Sequence, residues 1–118
     1  MLRLQRVYDD QGDDNGERYL VERLWPRGIK KEDLPMKAWL KEVAPSTELR
    51  RWFDHDPAKW EEFQHRYRAE LDEKPDVWER LVEAGKRGTV TLLYSSHDRQ
   101  HNNAVVLKSY LEEQLKII

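Results

Sequence analysis

Leu20-Val21-Glu22-Arg23-Leu24-Trp25-Pro26-Arg27-Gly28 is the stretch around which the rest of this chain is organised. Together with Tyr19, the residues Leu20, Val21 and Leu24 are β-favouring or apolar, so the stretch reads as a buried strand. Pro26 lacks the N–H that a sheet ladder needs, and Gly28 permits a positive φ, so the strand ends in a cationic loop. Arg23, Trp25 and Arg27 are then presented at the strand's carboxyl end, the edge at which α/β sheets bind ligands.

Toward the amino terminus, Leu2, Leu4 and Val7 alternate imperfectly with polar residues and read as a first strand, at an edge. The acidic segment Asp9–Glu17, with Gly12 and Gly16, reads as a solvated turn. Its length leaves antiparallel pairing of the first two strands open, because a parallel crossover usually takes a dozen or more residues.

On the other side of the loop, Pro35 introduces a short amphipathic piece in which Met36, Trp39, Leu40 and Val43 would share one helical face until Pro45 ends it. Ser46 is suited to cap a second helix that carries Leu49, Trp52 and Phe53 inward, with Arg50 and Arg51 outward. Asp56-Pro57 gives an N-cap and first-turn pair for a longer helix with Trp60, Phe63, Tyr67 and Leu71 along one stripe. Pro75 restarts helicity through Trp78, Leu81 and Val82, and Gly85 with Gly88 closes it. Thr89–Tyr94 is the strongest strand, apolar enough for the sheet interior, and a polar loop leads from it to a helix bearing Val106, Leu107, Tyr110 and Leu111.

These elements predict a single α/β domain over residues 1–118, a small sheet covered by helices. Trp60, Phe63, Tyr67, Trp78, Leu92 and Leu93 are expected in one core, and the 5 Trp residues are expected inside first. Charged residues make up 37% of the chain but nearly cancel to a net charge of −2, so any anion site must be local and no global field favours nucleic acid or membrane surfaces. The absence of Cys excludes disulfides, thiolate nucleophiles and Cys-based metal sites, and with 4 sparsely placed His residues no metal or other cofactor is expected. No apolar run has the length of a signal peptide or membrane span, so a cytoplasmic protein is expected.

Several separated motifs occur in order: Arg23-Leu24-Trp25-Pro26-Arg27-Gly28, Trp39-Leu40, Ala44-Pro45-Ser46-Thr47-Glu48-Leu49-Arg50, Leu92-Leu93-Tyr94 and His101-Asn102-Asn103-Ala104-Val105-Val106-Leu107. In these the chain closely resembles the YeaO-like bacterial proteins, part of a larger domain-of-unknown-function family. The resemblance implies a compact α/β domain with a largely parallel sheet and no established activity. In the broader family a Cys-His-Arg-like triplet stands where this chain has His101-Asn102-Asn103, so no thiol-dependent role carries over.

Two constellations carry chemistry. Arg23 and Arg27 could grip a phosphate or carboxylate bidentately, or Arg23 could instead pair with a buried carboxylate such as Asp98. Trp25 could stack on a ring or serve as a packing plug. In His97–Asn103, His101 is a candidate acid/base with Asp98 as its orienter, and Asn102 and Asn103 are candidate ligand hydrogen bonders. Asp and Asn also cap helices, so capping or an internal network is the competing reading. His55 and His65 read as unremarkable surface residues. The leading expectation is an anionic small-molecule ligand, a nucleotide or phosphorylated metabolite, held between the two loops, with no reaction assigned. The alternative is a nucleic-acid or protein interaction module with a basic face formed by Arg27, Lys30, Lys31, Arg50 and Arg51.

Overall fold

The computed structural model describes residues 1–9 and 16–116. Four strands, β1 (Leu2–Arg6), β2 (Glu17–Leu20), β3 (Ala38–Trp39) and β4 (Val90–Tyr94), form one sheet in the order β1-β4-β2-β3. Every pairing is parallel, with Leu4 opposite Leu92 and Tyr19 also opposite Leu92. The question of the first strand's direction is thereby answered: β1 and β2 flank β4 and run the same way. Most of the acidic segment expected as a turn, residues 10–15, lies outside the described residues.

Among the described residues four α-helices complete this compact α/β domain: α1 (Thr47–Phe53), α2 (Trp60–Glu73), α3 (Pro75–Arg87) and α4 (Asn103–Lys116). Local chemistry sets their starts. Ser46 accepts a hydrogen bond from the Leu49 N–H, and the Asp56 carboxylate accepts one from the Ala58 N–H in the 3-10 turn that leads into α2. Gly85 lies inside α3, which continues to Arg87 before Gly88 closes it, so the expected two-glycine stop is a single one. Among the described residues no helix is long and apolar enough to cross a membrane.

The sheet has two unlike faces because successive strand residues point opposite ways. Tyr19, Val21, Val90, Leu92 and Tyr94 join the large core supplied by the four helices, including Phe63, Tyr67, Leu81 and Leu107. Leu20 and Leu93 instead join Val7 and Leu34 in a smaller cluster, roofed by Trp25, Ile29, Met36 and Trp39. Leu93 therefore cannot share a core with Leu92, as the sequence reading had it. Trp60 and Trp78 pack against the large core half-buried, and none of the five Trp is fully buried. The indole N–H groups of Trp25, Trp39 and Trp78 donate to the carbonyls of Ile29, Glu22 and Leu71, holding these rings where a polar partner is within reach.

Residues 36–43 are the main local departure. The expected helix is a two-residue strand followed by a 3-10 turn at Lys41–Val43. Pairing with β2 makes side chains alternate along the strand: Trp39 goes to the small cluster, while Ala38 and Leu40 go to the large one; outside it, Met36 joins the small cluster and Val43 the large one. β2 also stops earlier than expected, at Leu20, and Leu24 is 58% exposed.

Candidate functional site

β2 and β4 are parallel neighbours, so both chain exits open on the same edge of the sheet. A cleft of about 400 Å³ lies there, lined by residues of both exit loops and of the segments flanking α1. Such a volume is in the range of small-molecule pockets, about 300 to 1,000 Å³. Of the residues singled out from sequence, Arg23, Trp25, Arg27, His101, Asn102 and Asn103 line this cleft, and Asp98 stands behind it as the partner of His101. Gly28 has φ +79°, and a Cβ there would meet nothing within 4 Å, so its backbone conformation alone accounts for the use of glycine.

The arginines have different surroundings. Arg23 donates from Nε to the Pro45 carbonyl at 3.1 Å and from Nη2 to the Ala44 carbonyl at 3.3 Å, and it approaches Glu42 at 3.9 Å. It ties the β2 exit to the entry of α1; the ion pair with Asp98 considered from sequence is not formed. Arg27 is exposed, held through its backbone by the Tyr8 hydroxyl, which donates to its carbonyl at 2.6 Å. Arg50, which the sequence reading turned outward from α1, also lines the cleft. Among the described residues neither Arg27 nor Arg50 has a carboxylate partner.

The second loop is built on Asp98. Its carboxylate accepts from the backbone N–H groups of Gln100 and His101, both at 2.9 Å, and from His101 Nδ1, also at 2.9 Å. The Gln100 N–H first, and the His101 groups with it, hold the Asp98 carboxyl below its ordinary range. With Nδ1 turned to Asp98, His101 keeps Nε2 as its second polar atom, and the ring rests edge-on against Trp60 at 5.1 Å. Asn102 is buried and caps α4: its Oδ1 accepts from the Val105 N–H and its Nδ2 donates to the Asp98 carbonyl. Asn103 donates to the Val21 carbonyl at 2.7 Å, joining α4 to the β2 exit. Both amides thus have structural partners. Trp25 packs edge-on to Trp39 at 5.3 Å, combining the roles of plug and cleft wall.

Sequence reasoning missed Glu22, which also lines the cleft. Its carboxylate accepts from the Ser95 N–H at 2.6 Å and from the Ser95 hydroxyl at 2.7 Å. Burial pushes the Glu22 carboxyl up, against the opposing effect of these two hydrogen bonds. A lone acid directly after the apolar pair Leu20-Val21 was the available signal, since a charge next to a buried strand needs a partner. His55 was missed as well. It is not helical but follows α1 in a left-handed turn, with φ 47° at Asp54 and 53° at His55, and lines the cleft near Glu22. Among the described residues no group of three or more His, Asp or Glu could hold a metal ion.

Fold and site together define a small parallel α/β domain with a cleft of mixed apolar and charged lining at the carboxyl edge of its sheet. The chain matches the model of the inactive DUF488-N3 subclade over residues 1–117 and belongs to that family. It is 43% identical over 110 residues to the uncharacterized protein YeaO of Escherichia coli K12, covering 93% of this chain and 96% of that protein. It is 40% identical over 110 residues to the uncharacterized proteins Rv3073c of Mycobacterium tuberculosis H37Rv and Mb3100c of Mycobacterium bovis, covering 93% of this chain and 92% of each. The YeaO-like resemblance noted from the motifs therefore holds across nearly the whole chain. No solved structure matches it.

Proposed function

We propose that this protein binds an anionic small molecule, a nucleotide or phosphorylated metabolite, in the cleft at the carboxyl edge of β2 and β4, as a cytoplasmic binding domain. The observation that carries this reading is the convergence of Arg23, Arg27 and Arg50 on one cleft in a chain whose net charge is −2. Arg27 and Arg50 offer guanidinium forks suited to phosphate or carboxylate oxygens, and Arg23 ties the loop that carries Arg27 to the entry of α1, which carries Arg50. His101, oriented by Asp98, contributes a titratable nitrogen to the same cleft. The family's description as an inactive subclade supports binding rather than turnover, as does the lack of any Cys at the His101-Asn102-Asn103 position.

A thermal-shift screen over nucleotides, phosphosugars and simple phosphates tests the proposal. A true ligand at a hundredfold excess over its dissociation constant adds about 2.7 kcal/mol of stability. The Arg27→Ala, Arg50→Ala double variant, altered only at exposed positions, should fold normally and lose that gain. If no compound in the panel stabilises the wild type, the proposal fails. Binding to nucleic acid that collapses between low and moderate salt would favour the interaction-module alternative.

A further inference from the structure

Glu22 is an anomaly in the cleft proposed to take anions. It lies two residues past the end of β2, and its carboxylate shares the cleft with three arginines. It pairs with none of them, since Arg23 turns to the Ala44 and Pro45 carbonyls and Arg27 and Arg50 have no carboxylate partner among the described residues. Ser95 fixes it instead, with one donor to each oxygen, at 2.6 and 2.7 Å. Those two neutral donors orient the carboxylate without neutralising it, and each oxygen keeps a further lone pair.

We propose that Glu22 is a recognition residue, and that the ligand of this cleft is an anion that also carries an N–H donor, either an aliphatic amino group or the amino-bearing edge of a ring. The inference rests on the anion-binding reading and narrows its ligand class. A simple anion would meet the arginines favourably but would be repelled by Glu22. A molecule with an anionic group at one end and an N–H at the other meets the cationic rim with the first and the preoriented carboxylate with the second. The cleft, at about 400 Å³ and with Phe53 and Phe63 in its wall, has the size and the apolar surface for the body of such a molecule. A partly buried carboxylate is costly unless its acceptor sites are filled, and the ligand's N–H would fill one.

The test is calorimetric titration of the full chain with two matched pairs of probes. Adenosine monophosphate and purine riboside monophosphate differ by the amino group on the ring, the second having no N–H on its base; O-phosphoethanolamine and ethyl phosphate differ by an aliphatic one. In at least one pair the wild type should bind the amino-bearing member about tenfold tighter or more, the usual scale for a hydrogen bond to a charged acceptor. Which pair shows the preference distinguishes a ring edge from an aliphatic amine. Glu22→Gln should bring the two members of that pair together while the member lacking the amino group binds no more weakly. Equal wild-type binding within both pairs, or a preference that survives in Glu22→Gln, would overturn the inference and leave Glu22 as a structural latch. The wild-type comparison decides even if the variant folds poorly. Failure of all four probes to bind would remove the anion-binding reading for these compounds and this inference with it, whereas equal binding within pairs removes only the inference.

Discussion

Glu22 and Ser95 clasp the carboxyl ends of two neighbouring parallel strands: both the N–H and the hydroxyl of Ser95 donate to the Glu22 carboxylate, 73 positions apart in sequence. Because burial raises the Glu22 carboxyl above its ordinary value, the folded state holds this proton more tightly than the unfolded chain does. Its contribution to stability is therefore fully present below the unfolded pKa and is lost as pH rises through the raised folded value. Urea denaturation over a pH series should show the wild type losing stability relative to Glu22→Gln as pH climbs out of the ordinary carboxylate range. A difference independent of pH would contradict this.

Glu17 has the opposite sign. The Lys37 ammonium above all, with help from Tyr19 and Arg87, lowers its carboxyl to about 2. Its contribution is present above the unfolded value and is lost as pH falls through about 2. Glu17→Gln should flatten the acid limb of the stability profile between those limits, leaving the limb above neutrality unchanged.

Tyr67 donates its buried hydroxyl to the Val43 carbonyl at 2.6 Å, joining α2 to the segment before α1. Tyr67→Phe keeps the ring but leaves that carbonyl without its donor, so the loss should be about 1 to 3 kcal/mol by chemical denaturation. A change under about 0.5 kcal/mol would mean that another donor replaces the hydroxyl.

Asn102 caps α4 and also donates to the Asp98 carbonyl. Asn102→Ala should cost about 0.5 to 2 kcal/mol, the usual range for a lost cap. Hydrogen exchange should rise first at the Val105 amide, which loses its acceptor. Unchanged protection there would argue against the cap.

Phe63 and Trp60 neighbour one another on α2 but should differ in what they contribute. Phe63 is 2% exposed within the large core, and Phe63→Ala should cost about 3 to 5 kcal/mol. Trp60 packs from the rim, so Trp60→Ala should cost less than Phe63→Ala in parallel denaturation curves, although the side chain removed is larger.

How legible the chain was follows from the range of the interactions involved. Ser46, Asp56 with Pro57, and Gly28 were readable because each acts on atoms within three residues or through its own φ. Part of the cleft wall was readable too, since Arg23, Arg27 and His101 follow strands whose ends can be recognised from Pro, Gly and polar runs. Their partners were not. Arg23 reaches the carbonyls of Ala44 and Pro45 rather than Asp98, and nothing local in either sequence segment distinguishes these choices.

The sequence by itself determined the α/β class, the strand at Val90–Tyr94, the helix starts and the cationic loop after β2, because hydrophobic period and capping chemistry are local properties. Only the tertiary structure decided that Ala38 and Trp39 pair as a strand instead of joining a helix, because the edge of β2 supplies backbone partners that override an amphipathic pattern. It also decided which side of the sheet each apolar residue serves, dividing Leu92 from Leu93 and leaving the Trp rings at the margins. The pairing of Glu22 with Ser95 belongs to the same level: parallel alignment of β2 and β4 brings two distant strand exits to one edge, where a carboxylate that could not remain unpaired finds its donors.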